Sequence, residues 1–377
     1  MDIQIREREA DAAAGGRDFP RAHAILRELV AQEPHNFGLW LKLSAMTAAI
    51  GDRAGAVTAL DTALALNPVD YTALLMRAAH LDALGKSDIA GEAYGRALAN
   101  APAPPPAAMA PMLAMARDRY HAWQDAQYAS LKAKVAAVTP LSSKLDRMIT
   151  NMLRMTEPDR DGPTHYCYPD MPEIGYYPDS AFAWMPTLEA ATEAIAAECH
   201  TVISAEAAQM VPYIQYPDGV PVDQWAELNH NRDWTAVHLI QNGRVVDANA
   251  RHCPQTMAML ATLPQPDIAG AGPNAMFSLL APGAHIPPHT GIANTRLVCH
   301  LPLVVPDGCW FRVGEETREW QRGKAWIFDD TVDHEALNPS DRLRIVLIFD
   351  IWHPALDAAE QAGIRTLIEA GGHIHGL

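Results

Sequence analysis

The chain has no stretch approaching the roughly 18 uninterrupted apolar residues that a membrane-spanning helix needs. Its opening, MDIQIREREADAAAGG, lacks the basic, apolar and small-residue segments of a secretory signal. Both absences predict a cytoplasmic protein with no membrane partner. Positive charge is also scarce: 29 Lys and Arg stand against 45 Asp and Glu, a formal net charge of −16. No basic run could neutralise several neighbouring phosphates, so nucleic acid is not an expected partner. Cysteine is sparse and odd in number. Cys167, Cys199, Cys253, Cys299 and Cys309 show no CxxC spacing, which argues against a disulfide framework or a thiolate zinc site and predicts buried, reduced thiols. What remains is the profile of a globular protein, 49% hydrophobic and 20% charged over 377 residues, long enough for two domains.

Residues 1–103 carry an internal repeat. Pro34, Pro68 and Pro102 fall 34 residues apart, as do Ala22, Ala56 and Ala90; Gly51 and Gly85 keep the same period. Leu26, Leu60 and Tyr94 repeat as large apolar residues, and Ala63 and Ala97 as small ones. This is the period of a tetratricopeptide-like helix–turn–helix unit. Small residues let antiparallel helices approach, large ones fill the gap, glycine turns the chain and proline stops the second helix. Helices are predicted at 20–32, 37–49, 54–66, 71–83 and 88–99. The first repeat is degenerate, with Arg17 where glycine is expected. Repeats of this kind are binding or spacing modules, here expected to hold a substrate or partner.

The proline-rich APAPPPAAMAP, residues 101–111, cannot continue a helix. Residues 104–158 read as a bridging helical segment, with Tyr120, Trp123, Tyr128, Leu131 and Val135 spaced along one face. From residue 159 to 377 the texture changes to short apolar runs bounded by Pro, Gly and Asp, a β-rich pattern interrupted by one amphipathic helix near 186–211.

Three features within that region make chemical sense together. His289 lies in PPHTG, read as the end of a Pro/Gly-rich loop; His334 follows an apolar strand and an acidic turn in WIFDDTVDHEA; Arg344 lies ten residues further on, in the strand RLRIVLIFDIW. Two neutral imidazoles can hold a divalent iron and leave positions open. A guanidinium can grip the distal carboxylate of an oxo acid through two parallel hydrogen bonds. The pattern suggests a double-stranded β-helix oxygenase using Fe(II), 2-oxoglutarate and O2. The place of the usual carboxylate ligand, two residues after the first histidine, is taken by Gly291. The site would then be two-histidine only.

NRDWTAVHLIQNGR (231–244), FSLLAPGAHIPPHTGIANTRLVCHLPLVVP (277–306) and TREWQRGKAWIFDDTVDHEALNPSDRLRIVLIFDIWHP (317–354) resemble the aspartyl/asparaginyl β-hydroxylase family, which lacks that carboxylate. The resemblance covers about residues 160–355. It implies an α+β multidomain protein, tetratricopeptide-like repeats followed by a double-stranded β-helix (cupin or jelly-roll) oxygenase domain. It also implies a peptide or protein substrate lying in the cleft between repeats and oxygenase domain. Carried over residue by residue, His289 and His334 would bind iron. Arg344 and Ser278 would hold the distal carboxylate of 2-oxoglutarate, and His300 would meet its metal-proximal carboxylate. Alternation in TRLVCHLPL puts Arg296, Val298 and His300 on one face, which makes Arg296 the candidate for the substrate's carboxylate.

The chain departs from the family at Val298, usually arginine, and at Met276, usually basic. Both departures remove positive charge and favour a neutral Asn or a differently placed carboxylate. The family's loop-closing cysteine pair is also absent. Other candidates have plainer readings. His285 is expected to support the site without ligating. Asp330 and Asp333 shape the turn before His334 or orient a histidine. Trp234 walls the pocket beside the cofactor or fills the core, and the terminal GGHIHGL is a surface tail. Aromatic- and proline-rich residues 164–186 would form one rim of the substrate cleft. Two rival functions stand beside peptide β-hydroxylation: oxidation of a free or carrier-bound amino acid or acyl chain, and a non-catalytic repeat-based interaction protein.

Overall fold

A computed structural model describes residues 3–158, 163, 165–206, 208–217, 222 and 225–372. Within these the chain forms two compact units, one reaching to Gln127 and one running from Tyr128 to Tyr216 and on from Val222. The division falls inside a continuous 27-residue helix, α7 below. No helix among the described residues is long and apolar enough to cross a membrane. Residues 373–377 of the terminal tail, and Thr164 of the expected cleft rim, lie outside the described residues.

The first unit is three helix pairs: α1 (Ile3–Gly15) with α2 (Phe19–Gln32), α3 (Phe37–Ala49) with α4 (Arg53–Leu66), and α5 (Tyr71–Ala83) with α6 (Ser87–Ala99). The five helices expected from the 34-residue period are all present within a residue of their expected ends. The period extends to the caps. Asp18 and Asp52 each accept a hydrogen bond from the backbone three residues on, as do Asn36 and Asp70, which satisfies amides left open at helix starts. Ala22, Ala56 and Ala90 are buried where paired helices touch, and Leu26, Leu60 and Tyr94 fill the core. Gly51 and Gly85 turn with φ of 94° and 73°; Arg17, at the equivalent place, is forced into the same left-handed region at φ 62°. Helix α1 was not expected, since only Ala10 and Ala13 of its charged sequence are buried. In α7 (Ala110–Ala136), Trp123 lies flat on Gly91, where a Cβ would stand 2.0 Å from the indole. Only glycine fits there.

The second unit begins with the end of α7. After Ser142 caps α8 (Ser143–Met152), the chain runs through β1 (Tyr176–Tyr177), α9 (Met185–Ala190), α10 (Thr192–Ile203), β2 (Val211–Pro212), β3 (Trp234–Gln241), β4 (Arg244–Val245), α11 (Asp247–Ala250) and α12 (Pro254–Leu260). It continues through β5 (Ala275–Leu280), β6 (His285–His289), β7 (Arg296–Val304), β8 (Trp310–Val313), β9 (Glu316–Glu319), β10 (Trp326–Phe328), β11 (His334–Leu337), β12 (Arg344–Trp352) and α13 (Ala358–Gly371). The expected amphipathic helix near 186–211 is thus two shorter ones, and the bridging helix is broken between α7 and α8.

The strands make two antiparallel sheets, a large one in the order β1-β10-β7-β12-β5-β3-β2, with β4 paired to β3, and a small one in the order β6-β11-β8-β9. The two faces of the large sheet have different tasks. Odd-numbered residues, Val237 and Leu239, Ala275, Phe277 and Leu279, Leu297, Cys299 and Leu301, Ile345, Leu347 and Phe349, join α9, α10 and α12 in one apolar core. Their even-numbered neighbours face the small sheet, where Trp234, Leu280, Val298 and Val346 pack with Ile286, Phe311, Val313 and Ala336. All five cysteines are buried thiols outside any disulfide.

Candidate active site

Between the two sheets lies a cavity of about 390 Å³. Its floor is the even face of the large sheet, Trp234 and His238 of β3, Met276 and Ser278 of β5, Arg296, Val298 and His300 of β7, and Arg344, Ile348 and Asp350 of β12. The small sheet supplies His289 and His334. The structure therefore brings every expected site residue to one cavity.

The two histidines face each other directly, paired across β6 and β11 with ring centroids 4.0 Å apart. Each is fixed by its own strand. Nδ1 of His289 donates to the Pro287 carbonyl at 2.8 Å, and Nδ1 of His334 donates to the Val332 carbonyl at 3.0 Å. Because a carbonyl can only accept, both protons sit on Nδ1 and both Nε2 lone pairs are left for a metal. Burial, reinforced by the other ring's charge, pushes His289 down to about 3, and burial pushes His334 down to about 4. Both are neutral near pH 7, the form that ligates. Residues 285–289, expected as loop, are a strand. Its two prolines are tolerated because β6 is the edge of the small sheet.

Gly291 is held beneath Asp330. A Cβ at this position would stand 2.3 Å from the Asp330 carboxyl carbon, so any side chain here, a carboxylate ligand included, requires the Asp330 carboxylate to move. Among the described residues no group of three or more His, Cys, Asp or Glu side chains could hold a metal. The acidic residues nearby have other partners. Asp333 pairs with Arg312 at 2.7 Å, Asp329 accepts from the Thr331 amide and hydroxyl to form the turn, and His285 bonds Glu335 at 3.0 Å.

Arg344 is 1% exposed and has no carboxylate partner among the described residues. Its guanidinium lies 4.7 Å above the Trp320 ring and reaches Ser278 Oγ at 3.4 Å; its Nε has no partner. Ser278 in turn accepts from Trp234 Nε1 at 3.1 Å, and the Trp234 ring stacks on Tyr213 at 3.7 Å. Trp234 thus orients the serine and walls the cavity at once. Burial draws Arg344 down to about 10, still charged at neutral pH. His300, enclosed by Phe311, Trp320 and Phe328, is held well below its usual range by burial and then by Arg344 and His334, and its Nδ1 has no partner. An unpaired buried cation beside an unpaired buried imidazole is costly unless an anion completes it. These residues fit an oxo acid.

Arg296 differs from its expected role. Its NH2 bonds Asp330 at 2.9 Å and its NH1 bonds Asp350 at 3.2 Å, so its charge is already met inside the protein. Alternation identified its face but not its partners. Asp350 and Trp320 were not anticipated, although an aspartate in the apolar run IFDIW, on the same parity as Arg344, is a readable signal.

Residues 190–354 match the family model described as Aspartyl/Asparaginyl beta-hydroxylase. The chain is 36% identical over 149 residues to the Aspartyl/asparaginyl beta-hydroxylase of Mus musculus, covering 39% of this chain and 20% of that one. It is 30% identical over 220 residues to Aspartate beta-hydroxylase domain-containing protein 2 of Homo sapiens, covering 57% of each. It is 33% identical over 181 residues to the Ornithine lipid ester-linked acyl 2-hydroxylase of Rhizobium tropici, covering 47% of this chain and 60% of that one. The chain thus spans about a fifth of the mouse relative's length and less than two thirds of the others'. Through most of the strands that carry this site, the chain is thus similar to proteins of the aspartyl/asparaginyl β-hydroxylase family.

Proposed function

We propose that the protein is an Fe(II)- and 2-oxoglutarate-dependent oxygenase that hydroxylates the β-carbon of an Asp or Asn residue in a peptide or protein. The observation that carries this reading is a buried guanidinium that has no carboxylate partner among the described residues, in the same cavity as two histidines whose Nδ1 atoms are bonded to carbonyls, leaving Nε2 to ligate. When bound, iron and the oxo acid supply the oxidant, with O2 divided between a substrate C–H, which becomes C–OH, and 2-oxoglutarate, which becomes succinate and CO2. His289 and His334 would hold the metal through Nε2. Arg344 and Ser278 would grip the distal carboxylate, with Trp234 keeping the serine hydroxyl in place and His300 turned to the proximal carboxylate. Ile286, Phe311 and Phe328 keep water from the reacting centre. The helical repeats, which need no chemistry of their own, would serve peptide binding.

Purified chain supplied with Fe(II), ascorbate and 2-oxoglutarate should form succinate, and peptide addition should accelerate it. Succinate formation that survives His289→Ala would sink the reading. The Rhizobium relative and the apolar residues Met276, Val298 and Ile348 in the cavity favour one alternative, an acyl chain as substrate. Stimulation of succinate formation by acylated lipids and not by peptides would establish it.

A further inference from the structure

The cavity holds its two arginines by different means. Arg296 is closed by carboxylates, with Asp330 and Asp350 both within hydrogen-bond distance. Arg344 is more deeply buried, yet no carboxylate meets it among the described residues. Its one side-chain hydrogen bond among those residues, from NH1 to Ser278 Oγ, is long at 3.4 Å. What lies against its charge is an aromatic face, since the guanidinium carbon stands 4.7 Å from the centre of the Trp320 ring. Arg318 also lies over a ring, that of Tyr176, but it pairs with Glu316 as well. Arg344 has the ring alone.

Trp320 is itself fixed. It follows β9, the edge strand of the small sheet farthest in order from β6, and its amide donates to the Cys309 carbonyl at 3.3 Å. Its ring packs against Phe311 at 5.4 Å, Trp326 at 5.9 Å and His300 at 6.2 Å between centroids. The indole Nε1 has no hydrogen-bond partner among the described residues, so packing sets the place of the ring. A ring face attracts a cation through its quadrupole, and more strongly where water is excluded. It can do so without carrying a charge and without occupying the in-plane N–H donors that a carboxylate takes. A protein carboxylate beside Arg344 would neutralise it, as Asp330 and Asp350 do Arg296, and would compete with any incoming anion.

We propose that Trp320 is a positioning residue, which holds the Arg344 guanidinium in place and leaves its N–H donors open, so that the pocket for a distal carboxylate exists before the ligand arrives. The inference rests on the proposed function only in naming that ligand as 2-oxoglutarate. With the cation already placed, binding costs little reorientation, and affinity is gained by preorganisation.

The test uses the full chain in two arms. In the first, ligand-free protein is unfolded in denaturant for Trp320→Leu, Arg344→Leu and the double variant, with Trp320→Met in place of Trp320→Leu if the latter does not fold. Trp320→Leu should lower the folding equilibrium constant about 3- to 30-fold more in the presence of Arg344 than in the Arg344→Leu background. Equal losses in both backgrounds would reduce Trp320 to core packing and overturn the inference. In the second arm, Mn(II)-loaded protein is titrated with 2-oxoglutarate and with 2-oxopentanoate, which has the same chain length and lacks the distal carboxylate. Trp320→Leu should weaken 2-oxoglutarate about 3- to 30-fold and leave 2-oxopentanoate and Mn(II) binding within about twofold. Trp320→Phe, which keeps an aromatic face, should restore most of that loss. A parallel loss for both oxo acids, or no loss for either, overturns the positioning role. Should the unaltered chain bind neither oxo acid, the oxygenase reading falls, while the unfolding cycle still decides whether ring and cation are coupled.

Discussion

The two units bury their polar groups in opposite ways. In the helical repeats the buried polar side chains are uncharged, such as Ser44 and Thr47, which bond carbonyls of their own helix at 2.7 Å. In the sheet unit Arg344, Asp350, Asp330, His300 and His334 are all buried, and three of them retain polar atoms without a partner among the described residues. Such groups cost stability in the ligand-free protein and repay it only when something binds. The repeats are organised for packing, and the cavity for completion by a ligand.

The strongest way to break this contrast is at the histidines. His289→Ala or His334→Ala should abolish Fe(II) binding and lower hydroxylation more than about 100-fold, beyond the 10- to 100-fold typical of groups behind a ligand. Calorimetric titration with Fe(II) under anaerobic conditions and succinate assays would measure both. In the repeats, Leu60→Ala removes a fully buried side chain and should destabilise that unit by about 2–5 kcal/mol without altering 2-oxoglutarate binding, read by denaturant unfolding.

Arg344→Met sharpens the comparison, because it should separate stability from function. The apparent KM for 2-oxoglutarate is expected to rise about 10- to 100-fold as charge-assisted hydrogen bonds are lost. The ligand-free protein should meanwhile become more stable by about 1–3 kcal/mol, since an unpaired buried charge is replaced by an apolar chain. A fall in the melting temperature of the ligand-free variant would show that the guanidinium is a structural group after all.

Acid should act on the sheet unit. His289 and His334 have folded pKa values depressed to about 3 and about 4, whereas the unfolded chain binds these protons near 6.5. Their stabilising contribution is therefore complete above about 6.5 and is lost as pH falls toward 4. Melting curves of metal-free protein should show that decline, and His334→Phe should flatten it. The smallest effect is expected at Arg17→Gly, which relieves a left-handed backbone and should raise the stability of the repeats by about 1 kcal/mol.

The repeats were legible because their rules are local and periodic. Alanine contacts, glycine turns and proline stops recur at one spacing, and even Arg17 could be located as the exception. Helix α1 escaped because it buries only two alanines. The strand parity that built the cavity was legible in TRLVCHLPL for the same local reason. Partners across the sheets were not. Asp330 and Asp350 reach Arg296 from 34 and 54 residues away in the chain, so a residue read as a free cation proved to be shared. Strand β6 was obscured by Pro287 and Pro288, whose missing amides matter only if a strand has neighbours on both sides.

The contact between Gly291 and Asp330 also imposes an order on descent. A mutation giving Gly291→Asp or Gly291→Glu, either of which would add a third anionic ligand, meets a carboxylate already present. The Asp330 carboxylate must shift or be shortened to make room, and either step disturbs one of the two counter-charges of Arg296. Neither substitution is neutral by itself, so the two positions are epistatic. A lineage holding this pair is kept from drifting to the three-ligand coordination sphere one mutation at a time.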